Sequence, residues 1–321
     1  MKTTSELTDF YYKILFPTLE KLDKDRKQLK RRVTTIGFFY ILFGLILLFF
    51  MRGIISQSLD VLAYIAIPYI AIGTFIYKAL IRGYVQEFKN KIIAPLIKEI
   101  DKTLIYTSIL YVPHHIVERS KLFVTKIDRV NGNDFVRGKI DSVPIQFSDI
   151  HAEHRHRDSK GRESWSTVFK GLFIVSEFNK EFKGDTIVLP DTAQSTFGDL
   201  IGNWLQSNNA SRQELIKMDD PAFEKEFVVY ASDQIEARYI LTHSLMEKLL
   251  IFKRKSKHPL YVSFVKNQIH IAVEYNKDLF EPSIFHSLLK YKIAMEYIQT
   301  LHLAIGIVEE LKLNQKIWSK K

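Results

Sequence analysis

Two long apolar runs near the start of the chain limit what it can fold into. The first, VTTIGFFYILFGLILLFFM at 33–51, has nineteen uncharged residues, thirteen of them Val, Ile, Leu or Phe. A helix of that length spans about 28 Å, close to the hydrocarbon thickness of a bilayer. The second, VLAYIAIPYIAIGTFIY at 61–77, is also uncharged and extends through KALI to residue 81, because the Lys78 ammonium can reach the interface. Both runs predict transmembrane helices rather than a buried core helix or an interfacial segment.

The residues around these runs predict their orientation. Only residues 52–60 separate them, which favours a helical hairpin with a short external loop. Basic residues lie before the first run and after the second: Lys24, Arg26, Lys27, Lys30, Arg31, Arg32, Lys78, Arg82, Lys89 and Lys91. By the positive-inside rule both termini are expected on the cytoplasmic side of the membrane, where the same residues can bind anionic lipids.

A repeated line flanks the hairpin. Residues 9–25 and 87–103 are identical at six of seventeen positions, including Pro17 and Pro95. Both lines have an apolar face at helical spacing: Phe10, Ile14, Leu15, Leu19 and Leu22 in the first, and Phe88, Ile92, Ile93, Ile97 and Ile100 in the second. The sequence predicts amphipathic cytoplasmic helices within 1–32 and 82–104, packed antiparallel as extensions of the hairpin. Chance similarity between two helices of like composition is the alternative.

From residue 105 to residue 321 the pattern changes to short strands mixed with helices. Strands are predicted at KLFVTKIDRV and DFVRGKI, separated by a turn at NGN, and on both sides of a DSKGR turn. Further strands are expected at DTIVLPD and EFVVYA, and a hairpin around KNQ. Helices are predicted at STFGDLIGNWLQS, over the whole of QIEARYILTHSLMEKLLIFKRK, and at 283–312. Strands and helices without regular alternation indicate a cytoplasmic α+β domain.

Charge and composition exclude several function classes. The net charge is +10, but residues 103–321 contain 30 basic and 27 acidic residues. This balance is a poor footprint for DNA or RNA, so no nucleic-acid partner is predicted. The chain contains no cysteine, which excludes disulfides, thiolate metal sites and cysteine nucleophiles.

The segment HAEHRH at 151–156 is the most suggestive cluster for chemistry. On a strand, His154 and His156 share one face and Glu153 lies on the other. Two imidazoles and a carboxylate are possible ligands of zinc or nickel, but a polar strand end beside a charged turn is the favoured interpretation. The pair His114–His115 follows Pro113 and is interpreted as a connector.

A second polar cluster, SDQIEARY at 232–239, contains Asp233, Glu236 and Arg238. A helix start explains it, with Ser232 or Asp233 as the cap and acidic residues in the first turn. The DDP at 219–221 indicates a turn. No phosphate loop, dinucleotide fingerprint, serine elbow or zinc-protease motif is found. No catalytic residue, metal ligand, cofactor-binding residue or cofactor is therefore predicted.

Several motifs carry a family resemblance: WSTVFKGLF at 165–173, VLPD at 188–191, DPAFEKEFVVYASDQIEARYILT at 220–242 and the closing IVEELKLNQKIWSK. Together with the two apolar runs they resemble a bacterial membrane-anchored family known as domain of unknown function 3137. The resemblance implies a bacterial inner-membrane protein and brings no activity or site residue with it.

These observations favour a membrane-anchored protein whose α+β domain binds an unidentified protein or small ligand near the membrane, without catalysis. The alternatives are a membrane-bound enzyme of unrecognised type and a module that senses anionic lipids. Convergent ionisable side chains in a pocket would favour the enzyme, and a flat apolar patch would favour a protein partner.

Overall fold

The computed structural model describes residues 3–55, 59–178, 181–191, 214–275 and 277–310. The chain divides into two compact units. The helical unit comprises Ser5–Leu96 and Glu281–Glu296. The sheet unit comprises Met1–Thr4, Ile97–Phe280 and Tyr297–Lys321.

The helical unit is built from long consecutive helices. They are α1 (Thr4–Lys13), α2 (Phe16–Ile55), α3 (Leu59–Phe88), a π-helical turn (Lys89–Ile93) and α4 (Ala94–Ile100), whose last residues belong to the sheet unit. Helix α2 packs against α3 and against the π-helical turn. The short connection between α2 and α3 makes them an antiparallel hairpin, as the sequence predicted.

Both predicted apolar runs lie in helices that are long and apolar enough to cross a membrane. The candidate segments are Phe16–Arg52 and Leu62–Ile100, with mean hydropathies of 2.4 and 1.6 in their most apolar windows. Their large apolar side chains face outward; Phe38 is 64 % exposed, Phe50 78 % and Tyr64 78 %. This surface differs from that of a soluble core helix, whose apolar face is covered.

A reciprocal pair of tyrosines joins the two apolar helices. Tyr40 Oη donates to the Tyr69 carbonyl oxygen at 2.5 Å, and Tyr69 Oη donates to the Tyr40 carbonyl oxygen. The two rings stack with centroids 4.3 Å apart. A Cβ at Gly44 would lie 2.6 Å from Tyr69 Oη, and one at Gly73 would lie 2.9 Å from the Tyr40 ring. Each helix contains one Tyr-x-x-x-Gly segment, and the tyrosine of each segment packs on the glycine of the other.

The two repeated lines accommodate their prolines in different ways. Pro17 lies in the first turn of α2, where no helical hydrogen bond is lost. Pro95 lies just inside α4, after the π-helical turn. There the Ala94 N–H donates to the Lys89 carbonyl oxygen, one residue further back than in an α-helix. The wider turn makes room for a proline ring that would clash in a regular helix.

The predicted apolar faces are mostly correct. Every residue of the second face is buried, and Leu15, Leu19 and Leu22 of the first face are buried as well. Phe10 is only half-buried, and Ile14 is 62 % exposed because the chain leaves the helical path between α1 and α2. Tyr11 and Leu7 fill the core in its place.

A buried ion pair fixes residues 281–290 within the helical unit. Arg26 Nε lies 2.8 Å from Asp23 Oδ1, and both side chains are almost fully buried. Ser287 Oγ donates to the same Asp23 oxygen at 2.8 Å. Arg26 Nη1 donates to the Ile284 carbonyl oxygen at 2.9 Å. Burial opposes ionisation of Asp23, but these donors outweigh it and lower the pKa of its carboxyl.

In the described part of the sheet unit, nine antiparallel strands lie in the spatial order β1-β2-β3-β4-β9-β8-β5-β7-β6. The strands are β1 (Ile105–Thr107), β2 (Arg129–Ile140), β3 (Val143–Arg157), β4 (Glu163–Glu177), β5 (Thr186–Pro190), β6 (Glu214–Ile216), β7 (Phe227–Ala231), β8 (Leu260–Val265) and β9 (Gln268–Glu274). The helices are α5 (His114–Arg119), α6 (Pro221–Glu224), α7 (Gln234–Ile240), α8 (His243–Ser256) and α9 (Tyr291–Glu310), which begins in the helical unit. An antiparallel α+β domain thus follows the two apolar helices.

Four predicted elements differ from the structure. The strand predicted at KLFVTKIDRV is not formed over residues 121–128, because β2 begins only at Arg129. The NGN segment is not a turn, because β2 runs through it with a β-bulge after Asn133. The predicted long helix breaks at Leu241, and Thr242 caps α8 as a separate helix. The final helix begins at Tyr291 rather than at 283. The helix predicted at STFGDLIGNWLQS lies outside the described residues.

We expect Leu19→Ala to destabilise the helical unit by about 2–5 kcal/mol, because it leaves a cavity at a fully buried position. Ile14→Ala, at an exposed position of the same repeated line, should change stability by less than about 0.5 kcal/mol. Thermal unfolding of the full chain in detergent measures both. Equal effects of the two substitutions would contradict the assignment of the buried face.

Candidate functional site

The histidine cluster lies where the sequence placed it, at the polar end of β3. The His154 and His156 rings share one face, with centroids 4.7 Å apart. His154 Nδ1 lies 2.7 Å from Asp128 Oδ2, at an ion-pair distance without hydrogen-bond alignment. His156 Nε2 lies 2.7 Å from Ser166 Oγ. Hydrogen bonds from the Arg155 N–H and Lys126 lower the pKa of Asp128.

Glu153 is occupied by a different partner. Arg129 Nη2 lies 2.7 Å from Glu153 Oε2, and the Arg129 guanidinium stacks on the Trp165 ring at 4.0 Å. Within the described part of the chain, no group of three or more His, Asp or Glu side chains is arranged to hold a metal ion. The structure therefore brings the two histidines together but directs Glu153 to an arginine.

The SDQIEARY cluster is a helix start, as predicted. Asp233 caps α7 by accepting from the Ile235 and Glu236 N–H groups at 2.9 and 3.0 Å. Glu236 accepts from the Lys183 and Gly184 N–H groups at 3.1 and 2.7 Å. Arg238 donates to the Lys217 carbonyl oxygen at 2.9 Å. Asp233 thus caps its own helix, and Glu236 and Arg238 bind the backbone of two loops.

The remaining polar motifs are also structural. Asp220 caps α6 with Pro221 at its first position, which agrees with the turn predicted at DDP. His114 and His115 are not a connector; they begin α5, and His114 Nε2 lies 3.5 Å from Glu118.

A buried carboxylate that the sequence analysis missed is the strongest candidate for chemistry. Asp149 lies in β3, and its residue is only 3 % exposed. Its Oδ2 accepts from the Leu279 N–H at 3.1 Å. Its Oδ1 is buried without a hydrogen-bond partner among the described residues, and so is Oδ1 of Asn133. Asn133 and Asp149 are direct cross-strand partners.

Further charged groups surround this carboxylate. Asp134 is fully buried on the bulge of β2, has a left-handed φ of 60° and accepts a hydrogen bond from Tyr106 Oη. Lys170 Nζ lies 2.9 Å from Asp278 Oδ1. Asp149 also raises the pKa of Tyr275, in addition to the effect of burial. Asp134, Asp278 and Lys170 are thus all close enough to Asp149 to influence its charge.

Burial is the main cause that raises the pKa of Asp149, to about 7. The Leu279 N–H opposes the rise, Asp278 and Asp134 add to it, and Lys170 opposes it. A carboxyl with this pKa exchanges its proton near neutral pH, which few structural aspartates do.

Two glycines permit the strands to approach around Asp149. A Cβ at Gly132 would lie 2.3 Å from the Asp149 carbonyl oxygen. Gly171, within the FKGLF motif, has a φ of 150°, and a Cβ there would lie 2.2 Å from the Val273 carbonyl oxygen. These positions exclude larger residues, and Gly171 directly follows Lys170 in β4.

A separate groove of about 450 Å³ lies on the sheet unit. Arg137, Gln146 and Val175 cross its floor as successive partners on β2, β3 and β4. Lys139 follows Arg137 at the alternate position on β2. Neither Arg137 nor Lys139 forms an ion pair with any described residue.

The sequence contained one signal for Asp149. In PIQFSDIHA, positions 145, 147 and 149 alternate on one face and read Ile, Phe, Asp. A carboxylate that continues an apolar face is a buried-charge candidate. The nearby groups come from three other strands and the segment after β9, so their convergence was not visible in the sequence.

Residues 167–313 match the model of a family described as protein of unknown function (DUF3137). This match confirms the family resemblance over that region, which extends from β4 to the end of α9. Comparison with curated proteins finds no match.

Among solved structures, the chain is similar to the crystal structure of the mycobacterial trehalose monomycolate transport factor A, TtfA. The sequences are 11 % identical, and the alignment covers 67 % of this chain and 91 % of that chain, with a TM-score of 0.34. A TM-score of this size does not establish a common fold.

We expect Asp149→Asn to stabilise the protein increasingly as pH rises. The folded pKa of about 7 exceeds the ordinary value of 3.8, so ionised Asp149 disfavours folding. The penalty is absent well below pH 3.8, grows between pH 3.8 and 7, and is complete above pH 7. The variant should gain roughly 2–4 kcal/mol at pH 8 and little at pH 4. A gain in melting temperature that does not depend on pH would contradict the assignment.

Proposed function

We propose that this protein is a membrane-anchored binding protein of the bacterial inner membrane. The hairpin of α2 and α3 crosses the bilayer through residues 33–51 and 61–81, and residues 105–321 are cytoplasmic. The outward exposure of the large apolar side chains on both helices is the observation that carries the anchor. In water such a surface is unfavourable, whereas in hydrocarbon it is the normal surface of a helix.

The basic residues beside the two spans support the orientation with both termini in the cytoplasm. Arg31, Arg32, Lys78 and Arg82 are placed where they contact anionic lipid headgroups, at about 1 kcal/mol for each residue near the surface. The ligand-binding role belongs to the groove on the sheet unit. Its volume falls within the range of small-molecule sites.

The groove has the chemistry of a site for an anionic ligand. Arg137 and Lys139 present two cations on one face against one carboxylate, Glu177, and the Gln146 and Gln268 amides lie beside them. Ile105 and Val175 supply the apolar surface of the groove. A small molecule or peptide end that carries a carboxylate or phosphate group fits this combination, because arginine binds both groups through paired hydrogen bonds. No side chain in this set forms a nucleophile–base pair, so binding is proposed rather than catalysis.

Cysteine labelling tests the topology, because the chain contains no native cysteine. Gln57→Cys, in the connection between the helices, should react in intact cells with a maleimide that does not cross membranes. Ser159→Cys, in the exposed turn between β3 and β4, should react only after the cells are opened. The reverse pattern would exclude the proposed orientation, and labelling of both positions in intact cells would exclude the anchor.

Titration calorimetry of the detergent-purified chain tests the groove, with inorganic phosphate and succinate as probes. We expect weak binding of at least one probe, and Arg137→Ala should weaken it by about tenfold or more through loss of a charged hydrogen bond. Lys160→Ala removes an exposed lysine outside the groove and serves as the matched control. No binding of either probe, or an equal loss in both variants, would remove the groove from the proposal.

A further inference from the structure

Two oxygen atoms in the sheet unit are left in a state that folded proteins avoid. Oδ1 of Asp149 and Oδ1 of Asn133 are both buried, and neither has a hydrogen-bond partner among the described residues. Both atoms accept hydrogen bonds, so neither can satisfy the other when the carboxyl is ionised. Leaving both unsatisfied is costly in a buried environment.

The positions of the two residues make one solution available. Asn133 and Asp149 are paired across β2 and β3, and side chains of such partners lie on one face with their Cβ atoms about 4.5–5.5 Å apart. At that separation the side-chain oxygens are within hydrogen-bond reach. One proton on Asp149 Oδ1 converts this oxygen into a donor and satisfies both atoms at once.

We propose that Asp149 and Asn133 form a proton-binding site that controls the cover segment, residues 277–280. With the proton bound, Asp149 Oδ1 donates to Asn133 Oδ1 and the cover segment stays closed. When the proton leaves, the buried charge favours any arrangement that admits water, and the cover segment opens.

The cover segment is the part of the structure that this charge would displace. Leu279 N–H donates to Asp149 Oδ2 at 3.1 Å, so the segment is bonded to the titrating group itself. Leu279 is 4 % exposed and Phe280 is fully buried. Asp278 belongs to the same segment and contributes a like charge. Ionised Asp149 therefore repels one residue of the segment while it is bonded to the next one.

The other titratable groups around Asp149 agree with a proton rather than a metal ion as the ligand. They are Asp134 on β2, Lys170 on β4, Asp278 in the cover segment and Tyr275 after β9, with Tyr106 on β1 behind Asp134. Lys170 already supplies a fixed cation to the group through Asp278, which disfavours a second one. The raised pKa of Asp149, about 7, agrees with a proton that is gained and lost near neutrality.

Hydrogen exchange tests the control of the cover segment in the full chain in detergent. At each pH the exchange rate of the peptide that contains Leu279 and Phe280 is measured in the wild type and in Asp149→Asn. The ratio of the two rates cancels the intrinsic pH dependence of amide exchange. The exchange rate of the wild type relative to that of Asp149→Asn should rise by up to about tenfold for each pH unit between pH 5 and pH 7 and then level off. A ratio that does not change with pH would overturn the proposal.

Asn133→Ala identifies the role of the amide. If Asn133 Oδ1 accepts the proton, the variant loses stabilisation of the neutral acid, and the pH at which exchange levels off should fall by about one unit. Asn131→Ala, on the same strand with an exposed side chain, should leave it unchanged. A rise in Asn133→Ala would mean that the amide donates to the ionised carboxyl, which contradicts the proposal.

Added calcium or magnesium tests whether the site binds a metal ion rather than a proton. If either ion at millimolar concentration protects the cover segment of the wild type at pH 8 but not that of Asp149→Asn, the orphan oxygens bind a metal ion and the proton site is rejected. Unchanged exchange with both ions supports the proton site.

Discussion

The pairing of β4 with β9 is the interaction on which the sheet unit depends. It joins the meander of β1 to β4 to the second group of strands, β9, β8, β5, β7 and β6. The register runs from Gly171 opposite Glu274 to Glu177 opposite Gln268, and it begins where a glycine lets the two backbones approach. The same junction brings Lys170 and Tyr275 beside Asp149, since Tyr275 N–H donates to the Lys170 carbonyl oxygen at 2.9 Å. The element that joins the two halves of the sheet thus also assembles its most unusual polar cluster.

Each unit buries an aspartate, but the two carboxyl groups differ in their hydrogen-bond donors and in the charges around them. In the helical unit Asp23 is buried with a full set of donors, from Arg26 and Ser287, and its carboxyl stays ionised. In the sheet unit Asp149 is buried with one backbone donor and two acidic neighbours, and its pKa rises. The first arrangement holds one geometry at any ordinary pH, because both charges are neutralised where they lie. The second depends on the proton concentration.

Features that depend on neighbouring residues were predicted well from the sequence, whereas contacts between distant segments were not predicted. The helices at the two apolar runs, the hairpin around KNQ and the helix cap at Ser232 or Asp233 depend on neighbours in sequence. The structure has all three, with Asp233 as the cap. The repeated lines show the limit. Asp23 and Asp101 are identical in the alignment, yet Asp23 binds Arg26 and Ser287 whereas Asp101 accepts from Thr103 in a local turn. Ser287 is 264 residues from Asp23, so no local pattern could indicate this difference. Ile14 was assigned to the buried face because the helical spacing was extended through the break between α1 and α2, which Pro17 in the first turn of α2 could have indicated.

The tyrosine–glycine contact between α2 and α3 restricts how the hairpin can move. Each ring lies over a glycine of the opposite helix and each hydroxyl reaches a carbonyl oxygen there. Sliding one helix by a turn, about 5.4 Å, would move both rings onto larger side chains and break both hydrogen bonds together. A piston-like displacement is therefore blocked at the middle of the pair. Tilting or rotating the two helices together as one rigid rod keeps both contacts, so these are the motions that the helix pair permits.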